Sequence, residues 1–400
     1  MRILSAAERF AASDRSRIFL DTDRCLHLNN QLSTCAACFD ICPVEAIQPG
    51  KPPTLETSKC QHCLACLPVC PVGAYSTNDA VPKLLTCIAR LETKKIELVC
   101  EMNDNPSMGV IADSMGILIK GCLAGLGSGT YLAIAAIGFE EILLRLDICE
   151  QCPWGTLKKE IIKQIRWANK ILMSLEKGNF LVCVSTLDEP VERLLLDADN
   201  PALSRRDLFQ LAARRGQMTM ARAMVNDKSA GGHRLGRDRL RTILALSHLP
   251  DVTTGGEILL DSGDYARITI TKACTACKTC ARSCPVNSLH FSMNAEKTSF
   301  QLEFEPQLCI GCSFCVNVCA AEAIEISHSP TFTQVFGISG RILLQEGKLS
   351  LCVKCKAPFA NETSGEYCPV CEYRRKHPFE SKTPPTSNLP EKISRGIKTV

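Results

Sequence analysis

The sequence predicts an α+β protein of several domains, in which two cysteine-rich modules flank a small α/β domain. Three observations predict this arrangement. Four short cysteine-containing stretches echo one another in two pairs, strand-like and helix-like segments alternate between the pairs, and two C-x2-C knuckles follow near the C-terminus. At 400 residues the chain is long enough for roughly two to four domains.

The cysteine-rich modules are marked by an internal repeat. The repeated stretches are CPVEAI from Cys42, CPVGAY from Cys70, CPVNSL from Cys284 and CAAEAI from Cys319. Each closes a cysteine group and opens a short predicted helix, where proline suits the first position because its missing N–H has no partner there. The first pair places one module at residues 18–80, and the second pair places another at 265–330.

Composition favours metal binding as the use of these cysteines. The chain has 26 cysteines, and its N-terminus lacks the continuous apolar segment of a secretory signal. Without export, dense cysteine is typical of metal sites rather than disulfides, and we expect a cytoplasmic protein. The uncharged run 121–139 is rich in glycine and closely flanked by charges, so we expect a buried helix and no transmembrane segment. A net charge of +4 gives no strong attraction to nucleic acid.

Three of the four repeats carry the full spacing C-x2-C-x2-C-x3-C. The three sets are Cys60, Cys63, Cys66 and Cys70; Cys274, Cys277, Cys280 and Cys284; and Cys309, Cys312, Cys315 and Cys319. Three closely spaced thiolates on a loop can wrap a cubane [4Fe–4S] cluster, and a fourth cysteine, turned away by the following helix, ligates the other cluster of a pair. Zinc prefers paired knuckles of two ligands, which these overlapping triplets do not offer.

This spacing resembles that of the bacterial two-cluster ferredoxins, twice over. The resemblance implies two 2[4Fe–4S] ferredoxin-like modules in which the fourth cysteines are exchanged between clusters. The implied ligand sets are Cys25, Cys35, Cys38 and Cys70; Cys60, Cys63, Cys66 and Cys42; Cys274, Cys277, Cys280 and Cys319; and Cys309, Cys312, Cys315 and Cys284. The chain departs from the family pattern twice: nine residues separate Cys25 from Cys35 where two are usual, and alanine follows Cys319 in place of proline.

Residues 95–187 alternate between strand-like and helix-like segments, which predicts a small α/β domain with parallel pairing. Four cysteines follow its strands, at the edge where such sheets bind ligands: Cys100, Cys122, Cys149 and Cys152. The segments LVCEMND, IKGCLAGL and DICEQCPWG resemble the iron–sulfur delta subunit of methyl-viologen-reducing hydrogenases, which implies a fifth cluster, [2Fe–2S] or [4Fe–4S], on these cysteines. The alternative is a redox dithiol of Cys149 and Cys152. Cys87 and Cys183 lie in apolar stretches and are predicted to be buried thiols.

The remaining segments are a linker, a second kind of metal site and a tail. Residues 190–262 are polar and basic and are predicted to form a helical linker. Residues 345–375 carry two C-x2-C knuckles with zinc-ribbon spacing, formed by Cys352, Cys355, Cys368 and Cys371. Four thiolates suit Zn²⁺, and a single rubredoxin-like iron is the alternative. Residues 376–400 are basic and contain proline, and they are predicted to be disordered.

Together these features predict a polyferredoxin-type electron-transfer protein. It would relay single electrons through several [4Fe–4S] clusters to or from a redox partner protein or an oxidoreductase complex. The sequence offers no constellation of catalytic acid, base and nucleophile, so a carrier or an oxidoreductase subunit is expected rather than a stand-alone enzyme. Two alternatives are an oxidoreductase subunit with substrate or disulfide chemistry at the middle cysteines, and a zinc-dependent nucleic-acid-binding protein.

Overall fold

A computed structural model of the chain defines its fold. The described residues are 18–77, 79–111, 113–176, 180–199, 219, 221, 235–249, 258–260, 264–337, 340–360 and 365–378. The tail predicted to be disordered lies outside them from residue 379 onward, as does most of the predicted linker.

The first module is built from short strands and short helices around its cysteine loops. Strand β1, Phe19–Leu20, pairs antiparallel with β4, Tyr75–Ser76, and β2, Ile47–Gln48, pairs antiparallel with β3, Thr54–Leu55. The helices are α1, Leu26–Asn29; α2, Ala37–Asp40; and α3, Cys66–Val69. Elements of this length bury few side chains, and the cysteines themselves form part of the buried core.

Helix α4, Ala80–Ile88, connects the first module to the middle domain. The Asp79 carboxylate accepts a hydrogen bond of 2.9 Å from the Val81 N–H and so caps the helix. The buried face of α4 packs into the core of the middle domain.

The middle domain contains a five-stranded sheet in which every pairing is parallel. Its strands, in spatial order, are β11, Leu195–Asp197; β7, Met115–Ile119; β5, Lys95–Cys100; β8, Glu141–Arg145; and β9, Leu181–Val184. A separate antiparallel pair joins β6, Met108–Gly109, to β10, Val191–Glu192. The central strand β5 and its neighbour β8 are buried over almost their whole length, which explains their mostly apolar sequence. Because β10 and β11 lie beyond residue 187, the domain takes in the start of the predicted linker.

Three helices pack beside this sheet. They are α5, Ser128–Ile137; α6, Lys158–Ser174; and α7, Arg237–His248. Helix α5 is apolar on all sides and buried, and α7, which comes from the predicted linker, packs directly against it. A Cβ at Gly129 would lie 2.3 Å from the Asp238 carbonyl oxygen, so only glycine permits this approach. The Asp238 carboxylate then caps α5, accepting bonds from the Gly129 N–H at 2.9 Å and the Ser128 hydroxyl at 3.1 Å.

The second module has a two-stranded pair and a larger antiparallel sheet. Strand β12, Arg267–Ile270, pairs with β15, Ile324–Ser327. The larger sheet contains, in spatial order, β13, Leu289–Met293; β14, Ser299–Phe304; β16, Ile342–Leu351; and β17, Pro358–Ala360. The helices of this module are α8, Thr279–Ser283, and α9, Phe314–Asn317, and helix α11, Pro369–Lys376, follows in the C-terminal part. Helix α10, Phe332–Phe336, comes after β15 and packs its buried side chains into the core of the middle domain. Since the first C-terminal knuckle lies between β16 and β17, the predicted ribbon continues the sheet of the second module.

The membrane-like run 121–139 folds into a short 3-10 turn, Leu123–Gly125, and the buried helix α5. Among the residues that the structure describes, no helix combines the length and the apolar character needed to cross a bilayer.

Candidate metal centres

The three full cysteine loops share an unusual backbone. In each loop, one residue before and one residue after the middle cysteine adopt the left-handed conformation. These residues are His62 and Leu64, Ala276 and Lys278, and Gly311 and Ser313. Left-handed non-glycine residues are uncommon and are retained where the surroundings require them. The same pattern in all three loops indicates one common fold that turns three thiols toward a centre.

The loop through Cys35 and Cys38 is different. Neither Thr34 nor Ala36, the residues before and after Cys35, has a positive φ, and Ala37 begins helix α2. This is the loop in which nine residues separate Cys25 from Cys35. The His27 ring nitrogen lies 2.7 Å from the Cys35 carbonyl oxygen and ties the extended loop back to α1.

The fourth cysteine of every repeat accepts a hydrogen bond at sulfur from the backbone N–H four residues later. The N···Sγ distances are 3.2 Å for Ala46 to Cys42, 3.2 Å for Ala74 to Cys70, 3.2 Å for Ser288 to Cys284 and 3.3 Å for Ala323 to Cys319. Cys319 makes this bond although alanine follows it, so the absent proline does not change the local geometry. Such bonds stabilise a thiolate and are a means by which a protein tunes a bound cluster.

The sixteen cysteines of the two modules lie in four groups whose thiols are close enough for their charges to act on one another. Site 1 is Cys25, Cys35, Cys38 and Cys70; site 2 is Cys42, Cys60, Cys63 and Cys66; site 3 is Cys274, Cys277, Cys280 and Cys319; and site 4 is Cys284, Cys309, Cys312 and Cys315. Burial, and then the neighbouring thiolates, raise the pKa of Cys66 well above its usual value and that of Cys280 to about 12. Four buried thiols this close together can all lose their protons only if a cation balances their charge, and a metal held by the four sulfurs would supply it.

Sites 1 and 2 are adjacent, and so are sites 3 and 4. Helix α3 begins with Cys66 of site 2 and is followed by Cys70 of site 1. Helix α8 contains Cys280 of site 3 and is followed by Cys284 of site 4. Of these sixteen cysteines, all of which the structure describes, Cys277 is the one classed as exposed.

The two modules meet at sites 4 and 1. Ile310, beside Cys309 and Cys312, lies in one apolar cluster with Val72 and Leu235, and Cys35 and Cys312 pack against this cluster. Arg239 of helix α7 reinforces the junction. Its guanidinium donates to the backbone oxygens of Gln307 at 3.0 Å and Asp264 at 2.9 Å and also to that of Cys309. It lies 3.5 Å above the centre of the Tyr265 ring.

The middle cysteines gather at the carboxyl edge of the parallel sheet. Cys100 ends β5, Cys122 follows β7, and Cys149 and Cys152 lie in the turn after β8. Cys100 and Cys122 are buried, and the other two are partly buried. Burial, together with the charge of Cys100, raises the pKa of Cys122 and of Cys149 to about 12. Four thiols from three chain segments therefore face one another; we call them the middle site.

The middle site lies directly against site 2, which the sequence did not indicate. The Cys122 N–H donates to the Cys63 carbonyl oxygen at 3.2 Å. The indole N–H of Trp154, two residues after Cys152, donates to the Gln61 side-chain oxygen at 2.7 Å. No local pattern announces these contacts, because their partners are about sixty and ninety residues apart in the chain.

The C-terminal knuckles form a compact four-cysteine group. The sulfurs of Cys352, Cys355, Cys368 and Cys371 all lie within 4.8 Å of one another, and those of Cys355 and Cys368 are 3.7 Å apart. These four cysteines could hold one metal ion, and four thiolates suit zinc or a single iron.

The two remaining thiols differ from each other. Cys87 is buried on α4, as predicted. The prediction that Cys183 is buried was wrong: it is exposed, because β9 is the edge strand of its sheet.

Comparison with known families identifies the cysteine modules. A family model described as a 4Fe-4S dicluster domain matches residues 273–323, and one described as a 4Fe-4S binding domain matches residues 53–76. No curated protein matches the chain. The chain therefore contains two ferredoxin-type 4Fe–4S domains. These domains support a role in iron–sulfur electron transfer.

Proposed function

We propose that this protein is a polyferredoxin-type electron carrier that relays single electrons between redox partner proteins. In this proposal, sites 1 to 4 each hold a [4Fe–4S] cluster and the middle site holds a fifth cluster. The C-terminal knuckles hold a structural zinc. The observation that carries the proposal is the contact between successive sites, in the order site 3, site 4, site 1, site 2, middle site.

Bound clusters would supply reversible one-electron chemistry at these sites. The protein's own residues perform the rest. Left-handed loop residues point the thiolates inward, backbone N–H groups bond the sulfurs of the fourth cysteines, and apolar side chains at the junction exclude water. Contacts such as those of Ile310 and Arg239 hold successive sites together, so an electron could pass along the chain without diffusing between proteins.

Iron content tests this proposal. Four cubane clusters correspond to about 16 Fe per chain, with a similar amount of acid-labile sulfide. We expect the anaerobically purified and reconstituted protein to be brown, to contain at least that amount and to accept several electrons. Fewer than about 12 Fe after careful reconstitution would contradict the two-module interpretation.

The middle site needs its own test. In the full-length protein, Cys122→Ala should lower the iron content by about two to four atoms, according to the cluster type, and should remove one electron paramagnetic resonance component. Cys183→Ala is the matched control, since Cys183 lies outside every group, and it should leave iron unchanged. If both variants contain as much iron as the wild type while Cys149 and Cys152 cycle between dithiol and disulfide, the oxidoreductase-subunit alternative replaces a fifth cluster.

A further inference from the structure

One residue distinguishes site 4 from the other three ferredoxin-type sites. The residue whose N–H bonds the fourth cysteine is alanine in three repeats, at Ala46, Ala74 and Ala323, and is serine at Ser288. The Ser288 hydroxyl makes a second contact with the same sulfur, because its oxygen lies 3.4 Å from Cys284 Sγ. Ser288 is only 1% exposed, so bulk water does not compete for this hydroxyl.

The direction of this hydrogen bond follows from the state of the cysteine. A metal-bound cysteine is a thiolate and has no proton to donate. The Ser288 hydroxyl must therefore donate to Cys284, placing the positive end of its dipole on the sulfur. Adding an electron makes a site more negative, so a donor bonded to the sulfur stabilises the reduced state more than the oxidised state.

A positive charge lies beside the same site. The Arg239 guanidinium bonds the carbonyl oxygen of Cys309, one of the site 4 cysteines. Arginine remains charged at any working pH. Its field also favours the addition of an electron at site 4.

Site 1, across the junction, has charges of both signs beside it: Arg24, next to Cys25, donates to the Val72 carbonyl oxygen at 3.0 Å. The carboxylates of Asp264 and Asp40 both act on Cys35, and negative charge disfavours an added electron. The Tyr75 hydroxyl is buried beside Cys38, so site 1 also has a hydroxyl that acts on one of its sulfurs. The two carboxylates therefore separate the two sites in the same direction as Ser288 does, whereas Arg24 and Tyr75 act in the opposite direction.

We propose that Ser288 and Arg239 make site 4 the most easily reduced of the four ferredoxin-type sites. The proposal rests on the function and ligand sets proposed above. One electron leaves a low-potential donor protein, which is oxidised, and one electron enters site 4, which is reduced; no proton moves and no covalent bond changes. An electron that enters from either end of the series would come to rest at the junction of the modules, so site 4 would store an electron between donor and acceptor.

The test is a potentiometric titration of the full-length protein with dithionite, followed by electron paramagnetic resonance. Ser288→Ala restores the residue found in the other repeats, so we expect it to fold and to retain its iron. The midpoint potential of the component that is reduced first in the wild type should fall by about 59 mV. For one electron this is a tenfold change in the ratio of reduced to oxidised protein at a given potential. Arg239→Gln should shift the same component in the same direction.

Two controls make the result specific. Ser292→Ala removes an exposed serine of β13 and should leave every component unshifted. Ala323→Ser places a hydroxyl at the equivalent position of site 3 and should raise the midpoint potential of a different component. Suppose that Ser288→Ala retains its iron but no component changes its midpoint potential, or that the component that changes is not the first one reduced. Either result would overturn this inference and leave the proposed function standing. A wild-type protein with too little iron would instead overturn the proposed function.

Discussion

Gly129→Ala should open the contact between helices α5 and α7. The added methyl group would lie 2.3 Å from the Asp238 carbonyl oxygen and 2.8 Å from the Thr242 hydroxyl oxygen. The carbonyl belongs to the backbone, so no side-chain rotation relieves this contact, and one helix must shift. Overpacking of this kind typically costs about 1–3 kcal/mol, while replacing a helical glycine by alanine returns about 0.5–1 kcal/mol. We expect a net loss of about 1–2 kcal/mol.

The assay is the rate of unfolding in urea under anaerobic conditions. Rates are preferable to equilibrium values because loss of bound metal makes unfolding irreversible. The chain has two tryptophans, Trp154 and Trp167, whose fluorescence follows the middle domain. If the contact is broken before the transition state for unfolding, a loss of 1–2 kcal/mol should accelerate unfolding by about 5-fold to 30-fold.

Ser128→Ala is the matched control on the same helix turn. It removes a single hydrogen bond of 3.1 Å to Asp238, which is worth about 0.5–1.5 kcal/mol, and it adds no bulk. We expect it to accelerate unfolding less than Gly129→Ala does. Equal rates for Gly129→Ala and the wild type would refute the argument that the close packing of α7 requires glycine.

Three further predictions concern the ribbon, a buried ion pair and pH. Cys368→Ser should remove one equivalent of metal, found by elemental analysis to be zinc, without changing the visible absorption of the clusters; a loss of iron would contradict the zinc assignment. Glu97→Gln should cost about 3–5 kcal/mol because it leaves the fully buried side chain of Arg193, 3.1 Å away, without its counter-charge. Glu140→Gln, at an exposed ion pair, is the control, and it should accelerate unfolding far less than Glu97→Gln does. Burial raises the pKa of Asp238 from 3.8 to about 6, so the folded protein binds this proton more tightly than the unfolded protein does. The stability that the proton contributes is lost as pH rises through 6. Between pH 5.5 and 7, the unfolding rate should therefore rise less in Asp238→Asn than in the wild type. The same pH dependence of the unfolding rate in both proteins would contradict this.

The ferredoxin-type domains could be predicted from the sequence because their chemistry is local. Within Cys60 to Cys70 the ligand spacing, the left-handed turns and the helix that follows all lie in eleven residues. Family models of 4Fe–4S domains match residues within each of the two predicted modules. The alternation of strands and helices was equally readable, because a buried parallel strand requires an unbroken apolar run.

The contacts between units could not be predicted, because each depends on residues far apart in the chain. Composition predicts that residues 190–262 form a polar, basic helical linker, and charge along a helix is usual on an exposed surface. In the structure, two arginines of this segment make buried contacts instead. Arg239 donates to the Cys309 carbonyl oxygen, and Arg241 donates to the Asp79 carboxylate. Arginine can bury its charge when carbonyls or carboxylates meet its fixed donors, and no sequence periodicity reveals where those partners will be.

The position of α7 explains why a charged segment connects the middle domain to the second module. Asp238 caps α5 of the middle domain, and the next residue, Arg239, bonds the loop of site 4. Immediately before the first residue of α7, Gly236 donates its N–H to the Pro71 carbonyl oxygen, next to Cys70 of site 1. A single helical turn is thus bonded to all three units. Because electron transfer requires short and constant separations between sites, rigid polar contacts at this point would maintain the proposed relay better than a flexible linker of the same length. The charges of α7 also lie where they can bias the energy of an electron at the junction.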